Sequence, residues 1–267
     1  KQFIKSIDAG IIASPSENHL KDLSLLIENN KHCFVEKPMS HELNKTRKLI
    51  ALAKKKKIII QVGHNIRFNP AIKLAKTLLD KKCIGEILWS RSISSSFLPK
   101  WRKKYDYKNS YTNKKQSGGV IFDLIHEIDL AYFLFGPGKV LSAVARNSRT
   151  LGLKVEDIAN IIIKHKNGHF SNLHLDYVTK IKTRITEIAG TRGKLFIDIS
   201  NRSLKFINVK GKIEKDEVFK SEINSDYSDE VLRFYNCVVE KKVNDKEKKE
   251  NLEVLKLALD AREMSSF

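Results

Sequence analysis

Lys37 is the first residue in this sequence whose type and surroundings point to chemistry. It lies in the stretch "FVEKPMS" (34–40), where an apolar run precedes the lysine and a rigid proline follows it. A lysine held in this way can donate a hydrogen bond to a substrate oxygen, and it can lower the pKa of a neighbouring alcohol or acid. The alternative is structural, with Lys37 in a salt bridge to Glu36 or at the sheet edge.

Asp123 and His126 form a second candidate site, within "SGGVIFDLIHEIDLAYFLFG" (117–136). We predict one helix over 120–135, with an apolar stripe along one side. At ~100° per residue the two side chains lie about 60° apart on the opposite side, which is also covered by apolar residues. An imidazole in this setting can act as a general base near neutral pH, tuned by the carboxylate. The alternative is a core histidine that is hydrogen-bonded by Asp123 or Asp129.

Two segments before this helix add groups that could bind a ligand. The "SGG" at 117–119 offers free backbone amides and a close approach of the backbone. The loop at 97–117 concentrates aromatic and basic side chains, namely Trp101, Arg102, Tyr105, Tyr107 and Tyr111. Such side chains suit stacking on sugar rings and holding phosphate or carboxylate groups. The same composition also suits an interface loop for self-association.

The first third of the chain contains the elements that would position Lys37. Short apolar strands at 9–14, 32–36 and 58–63 alternate with amphipathic helices, one starting at Pro15 and Ser16 and one capped by Ser40. This alternation predicts parallel βαβ units. Ligands of such sheets bind at the carboxyl ends of the strands, where the loops 14–19, 36–38 and 63–70 lie. Lys37 is therefore expected to point into the crevice.

The rest of the chain has a different pattern. After a helix that Pro70 opens, we predict a long strand at 86–96. Several strands follow between 140 and 219, with hairpin turns at 166–168, 190–193 and 209–212, and two helices close the chain at about 226–241 and 249–263. The fold class is α/β plus α+β. A partial Rossmann-like domain at 1–68 precedes a mostly antiparallel, open-faced sheet domain with helices at 69–267.

The composition of the chain further limits the classes of function that we expect. The 267 residues include no apolar run near 18 residues and no signal-peptide pattern, so no membrane partner is expected. Cys33, Cys83 and Cys237 lie far apart without metal-ligand spacing, which favours reduced thiols in the cytoplasm and no metal. The net charge of +19 comes mostly from lysine. Nucleic-acid binding is one interpretation, but no nucleic-acid motif supports it, and an acidic sugar or nucleotide substrate suits the charge equally well.

The motifs taken together resemble a known family. "IIASPSENH", "CFVEKPMS", "QVGHNIRFNP" and "SGGVIFDLIHEIDLAYFLFG" occur in the order seen in the glucose–fructose oxidoreductase / inositol dehydrogenase / MocA family, and "RITEIAGTRGKLFID" (184–198) is similar to its central sheet strand and turn. The loop before "GG" looks like the branch associated with surface-polysaccharide sugar pathways. The resemblance implies an NAD- or NADP-dependent oxidoreductase acting on a sugar, cyclitol or sugar nucleotide. It also implies a homodimer or homotetramer that pairs through the open sheet face.

The resemblance assigns roles to residues of this chain. Lys37 would hold and polarise the reacting hydroxyl or carbonyl, and His126 would exchange its proton, with Asp123 as the acid of that helix. The cofactor would lie along Ala13, Ser14, Pro15, His19, Glu36 and Lys37, with Asn65 and Arg67 near the nicotinamide or substrate. The substrate would contact Trp101, Arg102, Tyr107, Tyr111, Asp123 and His126.

Two departures from the family pattern shape these expectations. Many members separate the helix acid and histidine by three residues, whereas only Leu124 and Ile125 intervene here, which makes His126 the firmer assignment. No GxGxxG occurs in the sequence, and "IDAGIIASP" resembles the fourth strand of the family. We therefore expect roughly 70 residues of the pyrophosphate-binding half to be absent. The strand at 9–14 would then be an exposed edge, cofactor binding would be weak, and an inactive oligomerising or sugar-binding module is the alternative function.

Overall fold

Two sheets organise the molecule. The computed structural model describes residues 2–101, 106–222, 224–243 and 245–265. Within them the smaller sheet consists of three parallel strands in the order β1 (Ala9–Ile12), β2 (His32–Glu36) and β3 (Ile60–Gly63). The predicted βαβ arrangement is confirmed, because β1 pairs with β2 and β2 with β3 in parallel register. Within this sheet β1 is an edge strand, and its Ile11 is 61% exposed.

Helices pack on the smaller sheet because their apolar residues recur at helical spacing. A single turn, α1 (Gln2–Lys5), precedes β1, and α2 (His19–Glu28) and α3 (Leu43–Lys55) connect the strands. Leu23 and Ile27 of α2 share a core with Val35 of β2. The prediction that Ser40 caps α3 is wrong. The helix begins at Leu43, while the Ser40 hydroxyl accepts a hydrogen bond from the Glu42 amide (3.1 Å) and lies 2.5 Å from the Thr46 hydroxyl.

The larger sheet follows α4 (Pro70–Asp80), whose first turn is capped by the Asn69 side chain. Its strands are β4 (Ile87–Ser95), β5 (Gly138–Arg146), β6 (Ile158–His165), β7 (Phe170–Asp176), β8 (Thr183–Gly190), β9 (Gly193–Asp198), β10 (Ser203–Asn208) and β11 (Ile213–Val218). They lie in the order β11-β10-β9-β8-β4-β7-β6-β5, and within the described part of this larger sheet only the β4–β7 pair is parallel. The three predicted hairpin turns are confirmed at the β6–β7, β8–β9 and β10–β11 connections.

The predicted single helix over 120–135 is divided into α5 (Val120–Asp123) and α6 (His126–Phe135). In a continuous helix the Glu127 amide would donate to the Asp123 carbonyl. It donates instead to the Leu124 carbonyl (3.2 Å), which leaves the Asp123 carbonyl free for another donor. The break places His126 at the first residue of α6, with its own orientation relative to Asp123.

The last two helices return to the smaller sheet. Phe234 of α7 (Asn224–Val239) packs edge-on against Phe34 of β2, with 5.8 Å between ring centroids. Leu255 of α8 (Asp245–Met264) joins the core of the smaller sheet. Residues at both ends of the chain therefore build one body around the smaller sheet, and the division at 68/69 stays a prediction. Among the described helices, none is long and apolar enough to span a membrane.

Candidate active site

Lys37 lies at the carboxyl end of β2, where the chain turns through a cis peptide to Pro38. Its Nζ donates a 2.6 Å hydrogen bond to the backbone carbonyl of Asp123, the carbonyl that the helix break releases. The loop of the smaller sheet is thereby joined to the junction of α5 and α6. Burial lowers the pKa of the Lys37 ammonium, although the carboxylates of Asp123 and Glu36 oppose this shift. A lysine with a lowered pKa in a crevice is suited to exchanging protons.

His126 opens α6 beside Lys37. Its Nδ1 is buried without a hydrogen-bond partner, and the residue as a whole is half-buried. Burial lowers the pKa of His126 well below the usual range, and the positive charges of Lys37 and Arg184 and the His64 ring lower it further. The imidazole is therefore neutral at physiological pH and able to accept a proton.

His64 is a site residue that was not predicted. It follows β3, is 4% exposed, and its ring centroid lies 6.2 Å from that of His126 with an interplanar angle of 79°. Its Nε2 is 3.5 Å from the Asp129 carboxylate, and its Nδ1 is buried without a partner. Burial lowers its pKa to about 4. The signal was available, since His64 stands in the loop 63–70 at a strand's carboxyl end.

Asn65 and Arg67 lie in the same loop, in a turn of 3-10 helix over Asn65–Phe68. Asn65 is buried beside His64. Arg67 donates two hydrogen bonds to Asp129, one from Nε (2.9 Å) and one from Nη2 (2.6 Å), and lies 3.4 Å from Glu250. Although burial alone would lower its pKa, the Asp129 carboxylate raises the pKa of the Arg67 guanidinium. The Arg67 guanidinium therefore forms a buried ion pair with Asp129, next to His64. Arg67 lies near the site, but its charge is already paired within the protein.

Asp123 does not tune His126 through its carboxylate. The carboxylate is 2% exposed and accepts hydrogen bonds from the Thr112 hydroxyl (2.9 Å) and the Tyr177 hydroxyl (2.6 Å). Burial, and then the Asp123 charge, raise the pKa of Tyr177 well above its usual range. The pairing expected from helical geometry fails because the helix breaks immediately after Asp123. Only its backbone carbonyl reaches the site, through Lys37.

The loop after β1 contains the predicted cofactor residues Ala13, Ser14 and Pro15. Ala13 and Pro15 are exposed, and the Ser14 hydroxyl donates to the Asp22 carboxylate (2.7 Å). The backbone of this loop therefore remains accessible at the carboxyl end of β1, while the Ser14 side chain is directed at α2.

His19 connects two of the predicted loops. It is 1% exposed, and its ring nitrogens lie 2.8 Å from the carbonyl oxygens of Pro38 and Ser14. A buried imidazole between these two carbonyls holds the loop after β1 against the loop after β2. The structure supports a positioning role for His19 in the shape of the crevice.

Glu36 faces the carboxyl end of β3. A Cβ built on Gly63 would lie 3.0 Å from Glu36 Oε2, so the glycine allows this close approach. Glu230 of α7 is an unpredicted neighbour, 1% exposed with Oε1 unpartnered. Burial and the Glu36 charge raise the pKa of Glu230 to about 8. At neutral pH Glu230 is therefore protonated.

The aromatic loop is only partly connected to this site. Trp101 is 39% exposed, donates from Nε1 to the Ser96 hydroxyl (2.8 Å) and packs edge-on against Tyr177 with 5.4 Å between centroids. Since Tyr177 binds Asp123, Trp101 lies close to the α5–α6 junction. Its exposed indole is available to a ligand at that edge.

The remaining loop residues have other surroundings. The Tyr107 hydroxyl donates to the Leu151 carbonyl (3.3 Å), which turns this side chain toward the larger sheet. Tyr111 is half-buried next to Thr112. Arg102, and Tyr105 with it, lie outside the described residues.

The amides of the "SGG" stretch are already occupied. The Ser117 and Gly118 amides donate to the Lys114 carbonyl (3.2 and 2.7 Å), and the Gly119 amide donates to the Thr112 carbonyl (3.0 Å). A Cβ at Gly119, whose φ is +99°, would collide with the fully buried Glu156 carboxylate. The expectation that these amides serve a ligand is wrong, because backbone carbonyls of the preceding loop accept their hydrogen bonds.

Arg184, at the start of β8, is another site residue that the sequence did not reveal. It forms two hydrogen bonds with the buried Glu127 carboxylate, at 2.7 and 3.0 Å. Its charge acts on the pKa of both Lys37 and His126. No local pattern marks it, since β8 reaches the site only through the pairing of the larger sheet. Among the described residues no group of ligands suited to a metal ion occurs.

Comparisons with known proteins match both parts of the chain. Residues 2–64 match the model of an oxidoreductase family with an NAD-binding Rossmann fold, and residues 72–196 match that of the GFO/IDH/MocA C-terminal domain. The uncharacterized oxidoreductase YrbE of Bacillus subtilis is 26% identical over 242 residues, which is 87% of this chain and 68% of that protein. The scyllo-inositol 2-dehydrogenase (NAD(+)) of the same organism is 27% identical over an equal share of both chains.

The fold is shared with solved structures. A levoglucosan dehydrogenase in complex with NADH and levoglucosan has a TM-score of 0.86 and 19% identity, covering 99% of this chain and 80% of that one. Several curated relatives are matched over little more than half of their length, 53% and 52% in two cases.

Proposed function

Because the chain belongs to the glucose–fructose oxidoreductase / inositol dehydrogenase / MocA (Gfo/Idh/MocA) family of oxidoreductases, we propose that it transfers a hydride between a nicotinamide cofactor and a sugar, cyclitol or sugar nucleotide. The reacting group would be a hydroxyl or its carbonyl. The observation that carries this proposal is the meeting of Lys37 and His126. The 2.6 Å bond from Lys37 to the Asp123 carbonyl brings a strand-end lysine to the helix start that presents His126.

Lys37 and His126 have different roles at the substrate oxygen. In the direction of oxidation, Lys37 donates a hydrogen bond to the hydroxyl and stabilises the developing negative charge on its oxygen. Nε2 of the neutral His126 accepts the hydroxyl proton. In the reverse direction the same atoms return that proton to the carbonyl oxygen. Burial of His126, together with the positive charges of Lys37 and Arg184, lowers its pKa and keeps it unprotonated and ready to act as the base.

The residues present fit the nicotinamide end of the cofactor. When bound, NAD or NADP supplies the hydride acceptor or donor. The close approach of Glu36 to Gly63, and the exposed backbone at Ala13 and Pro15, leave the carboxyl edge of the smaller sheet accessible. Glu36 is the acceptor that would hold ribose hydroxyls at this edge, and the loop held by His19 would line its side. We also assign contacts with the substrate to Trp101 and Tyr111.

Self-association is part of the same proposal. The face of the larger sheet turned away from α6 exposes Trp89, Ile162 and Phe170, at 36%, 36% and 40%. Trp89 lies opposite Phe170 in the β4–β7 register, so they form one apolar patch. We propose that a second copy covers this patch in a homodimer or homotetramer. A cytoplasmic location accords with cysteines that form no disulfide in the described part of the chain.

The proposal is tested by incubating the purified protein with NAD or NADP and a panel of sugars, cyclitols and sugar nucleotides. Formation of NADH or NADPH is followed by absorbance, and cofactor affinity is measured separately by fluorescence titration. We expect oxidation of at least one substrate, with loss of activity in Lys37→Ala and His126→Ala. Sugar binding without cofactor binding would instead support a non-catalytic sugar-binding module. Steeply salt-dependent binding of DNA without either would support the nucleic-acid alternative.

A further inference from the structure

His126 lacks the carboxylate partner that its helix was expected to provide. Asp123 is engaged by the Thr112 and Tyr177 hydroxyls, and the helix breaks before His126. Nδ1 of His126 is consequently buried with no hydrogen-bond partner in the described structure. An unpaired ring nitrogen in a buried site costs free energy, so its retention calls for a functional account.

His64 is the titratable ring that packs edge-on beside His126. Its centroid lies 6.2 Å from that of His126, and its own Nδ1 is also buried and unpartnered. Its Nε2 faces the Asp129 carboxylate at 3.5 Å, which favours the tautomer with the proton on Nε2. In that tautomer the Nδ1 of His64 is an acceptor. Two adjacent imidazoles thus leave one nitrogen each unsatisfied.

We propose that His64, rather than Asp123, is the acid–base partner of His126, acting through one water molecule between their Nδ1 atoms. This rests on the proposed oxidoreductase function. His64 acts as a positioning residue, since it selects the His126 tautomer with the proton on Nδ1. That tautomer leaves the lone pair on Nε2, the nitrogen to which we assign the substrate proton.

The proton balance of the step is simple. As Nε2 of His126 takes the hydroxyl proton of the substrate, the proton on its Nδ1 passes through the water to Nδ1 of His64. The proton on Nε2 of His64 then lies against Asp129, whose charge stabilises the imidazolium. No electrons move in this relay, because the electron pair leaves the substrate carbon with the hydride.

The charges around the pair support this direction of transfer. His126 faces Lys37 from the loop after β2 and Arg184 from β8, and both are positive. His64 faces Asp129 of α6, and more weakly the positive Arg67, the negative Glu247 of α8 and the positive Lys37. Within the described chain only positive charges therefore act on His126, whereas the largest charge acting on His64 is the Asp129 carboxylate.

The test compares His64→Phe with a matched control, His169→Phe. His169 is also 4% exposed with a pKa lowered to about 4, but it lies in the β6–β7 hairpin. Nitrogen-edited NMR of the imidazoles would report the tautomer of His126 without any substrate. We expect His64→Phe to move His126 away from the Nδ1–H tautomer and to lower kcat about tenfold or more, with little change in KM. A second variant, His64→Gln, keeps a polar side chain and should retain part of kcat.

The outcomes separate this inference from the proposed function. An unchanged His126 tautomer and an unchanged kcat in His64→Phe would overturn it, as would equal losses of kcat in His169→Phe. A wild-type protein that oxidises no substrate would refute the proposed function. The tautomer measurement would still decide whether His64 controls His126.

Discussion

Two pairs of buried histidines differ in what surrounds them. His64 and His126 meet in the crevice, while His165 and His169 stack in the β6–β7 hairpin with 4.5 Å between centroids. Burial lowers the pKa of all four imidazoles. Burial and a low pKa therefore do not distinguish a candidate site from a structural cluster.

Hydrogen bonding and charge do distinguish the pairs. Both nitrogens of His165 are satisfied, by the Gly136 carbonyl (3.1 Å) and the Ser171 hydroxyl (2.8 Å). Nδ1 of His169 is bonded to Asn167 (2.7 Å), whereas its Nε2 is buried without a partner. The hairpin pair packs against Phe135. The crevice pair has an unpaired Nδ1 on each ring, and charged side chains act on both of its rings, whereas no carboxylate, lysine or arginine among the described residues shifts the pKa of the hairpin pair. Unsatisfied nitrogens that converge with charges are the better marker of chemistry.

The largest expected effect concerns the crevice itself. Lys37→Ala and His126→Ala remove the groups that hold and deprotonate the substrate oxygen, so kcat/KM should fall by about 10²-fold or more in each. Steady-state kinetics on folded variants measures this, with circular dichroism as the check on folding. Retention of wild-type kcat by His126→Ala would place the chemistry elsewhere and remove the distinction between the two pairs.

The variant Glu230→Gln tests whether a buried carboxyl group near the crevice pair stays protonated in the folded protein. Its folded pKa of about 8 lies above the usual glutamate value of 4.5, so its contribution to stability is full below pH ~4.5 and declines as the pH rises toward 8. Glu230→Gln keeps the shape of the protonated acid. We expect it to abolish this decline and to gain up to a few kcal/mol at pH 8 relative to wild type. Urea titrations at pH 5 and pH 8 measure the difference, and parallel profiles for both proteins would contradict it.

Asp123→Asn tests whether the helix carboxylate belongs with the crevice or with the core. The variant weakens the hydrogen bonds from Thr112 and Tyr177, so the free energy of unfolding should fall by ~1–3 kcal/mol. Lys37 keeps its partner, since that partner is the backbone carbonyl. We expect kcat per folded molecule to stay within about threefold of wild type. A loss of kcat as large as that of His126→Ala would instead support the family-type pairing.

The smallest expected effect is on stability at acid pH, and it should be the same for the two histidine pairs. A histidine with a lowered folded pKa contributes stability above pH ~6.5 and loses it as the pH falls toward 4. His64→Phe and His169→Phe should therefore both reduce the acid loss of stability, by a few kcal/mol at most. Thermal unfolding between pH 4 and 7 checks this. An effect confined to one variant would mean that the two buried environments differ more than their geometry indicates.

Much of the fold was predictable because it depends on local pattern. The alternating strands and helices of the first third, the helix start at Pro70, and the three hairpin turns follow from periodicity and turn residues. The start of α3 at Leu43 and the break in the helix over 120–135 were not predictable from local pattern. The competing hydrogen bonds, from Ser40 to Thr46 and from Lys37 to the Asp123 carbonyl, are not encoded in the local pattern.

The sequence by itself determined that a lysine stands at the end of a parallel strand and that a histidine lies on a covered helix, because residue type and periodicity are local properties. Tertiary structure alone decided their partners. It paired the Asp123 carboxylate with the Tyr177 hydroxyl, brought His64 to His126 and Arg184 to Glu127, and buried Glu230 where the charge of Glu36 acts on it. The physical reason is that a hydrogen bond or a pKa depends on distance and burial in three dimensions, which spacing along the chain does not specify.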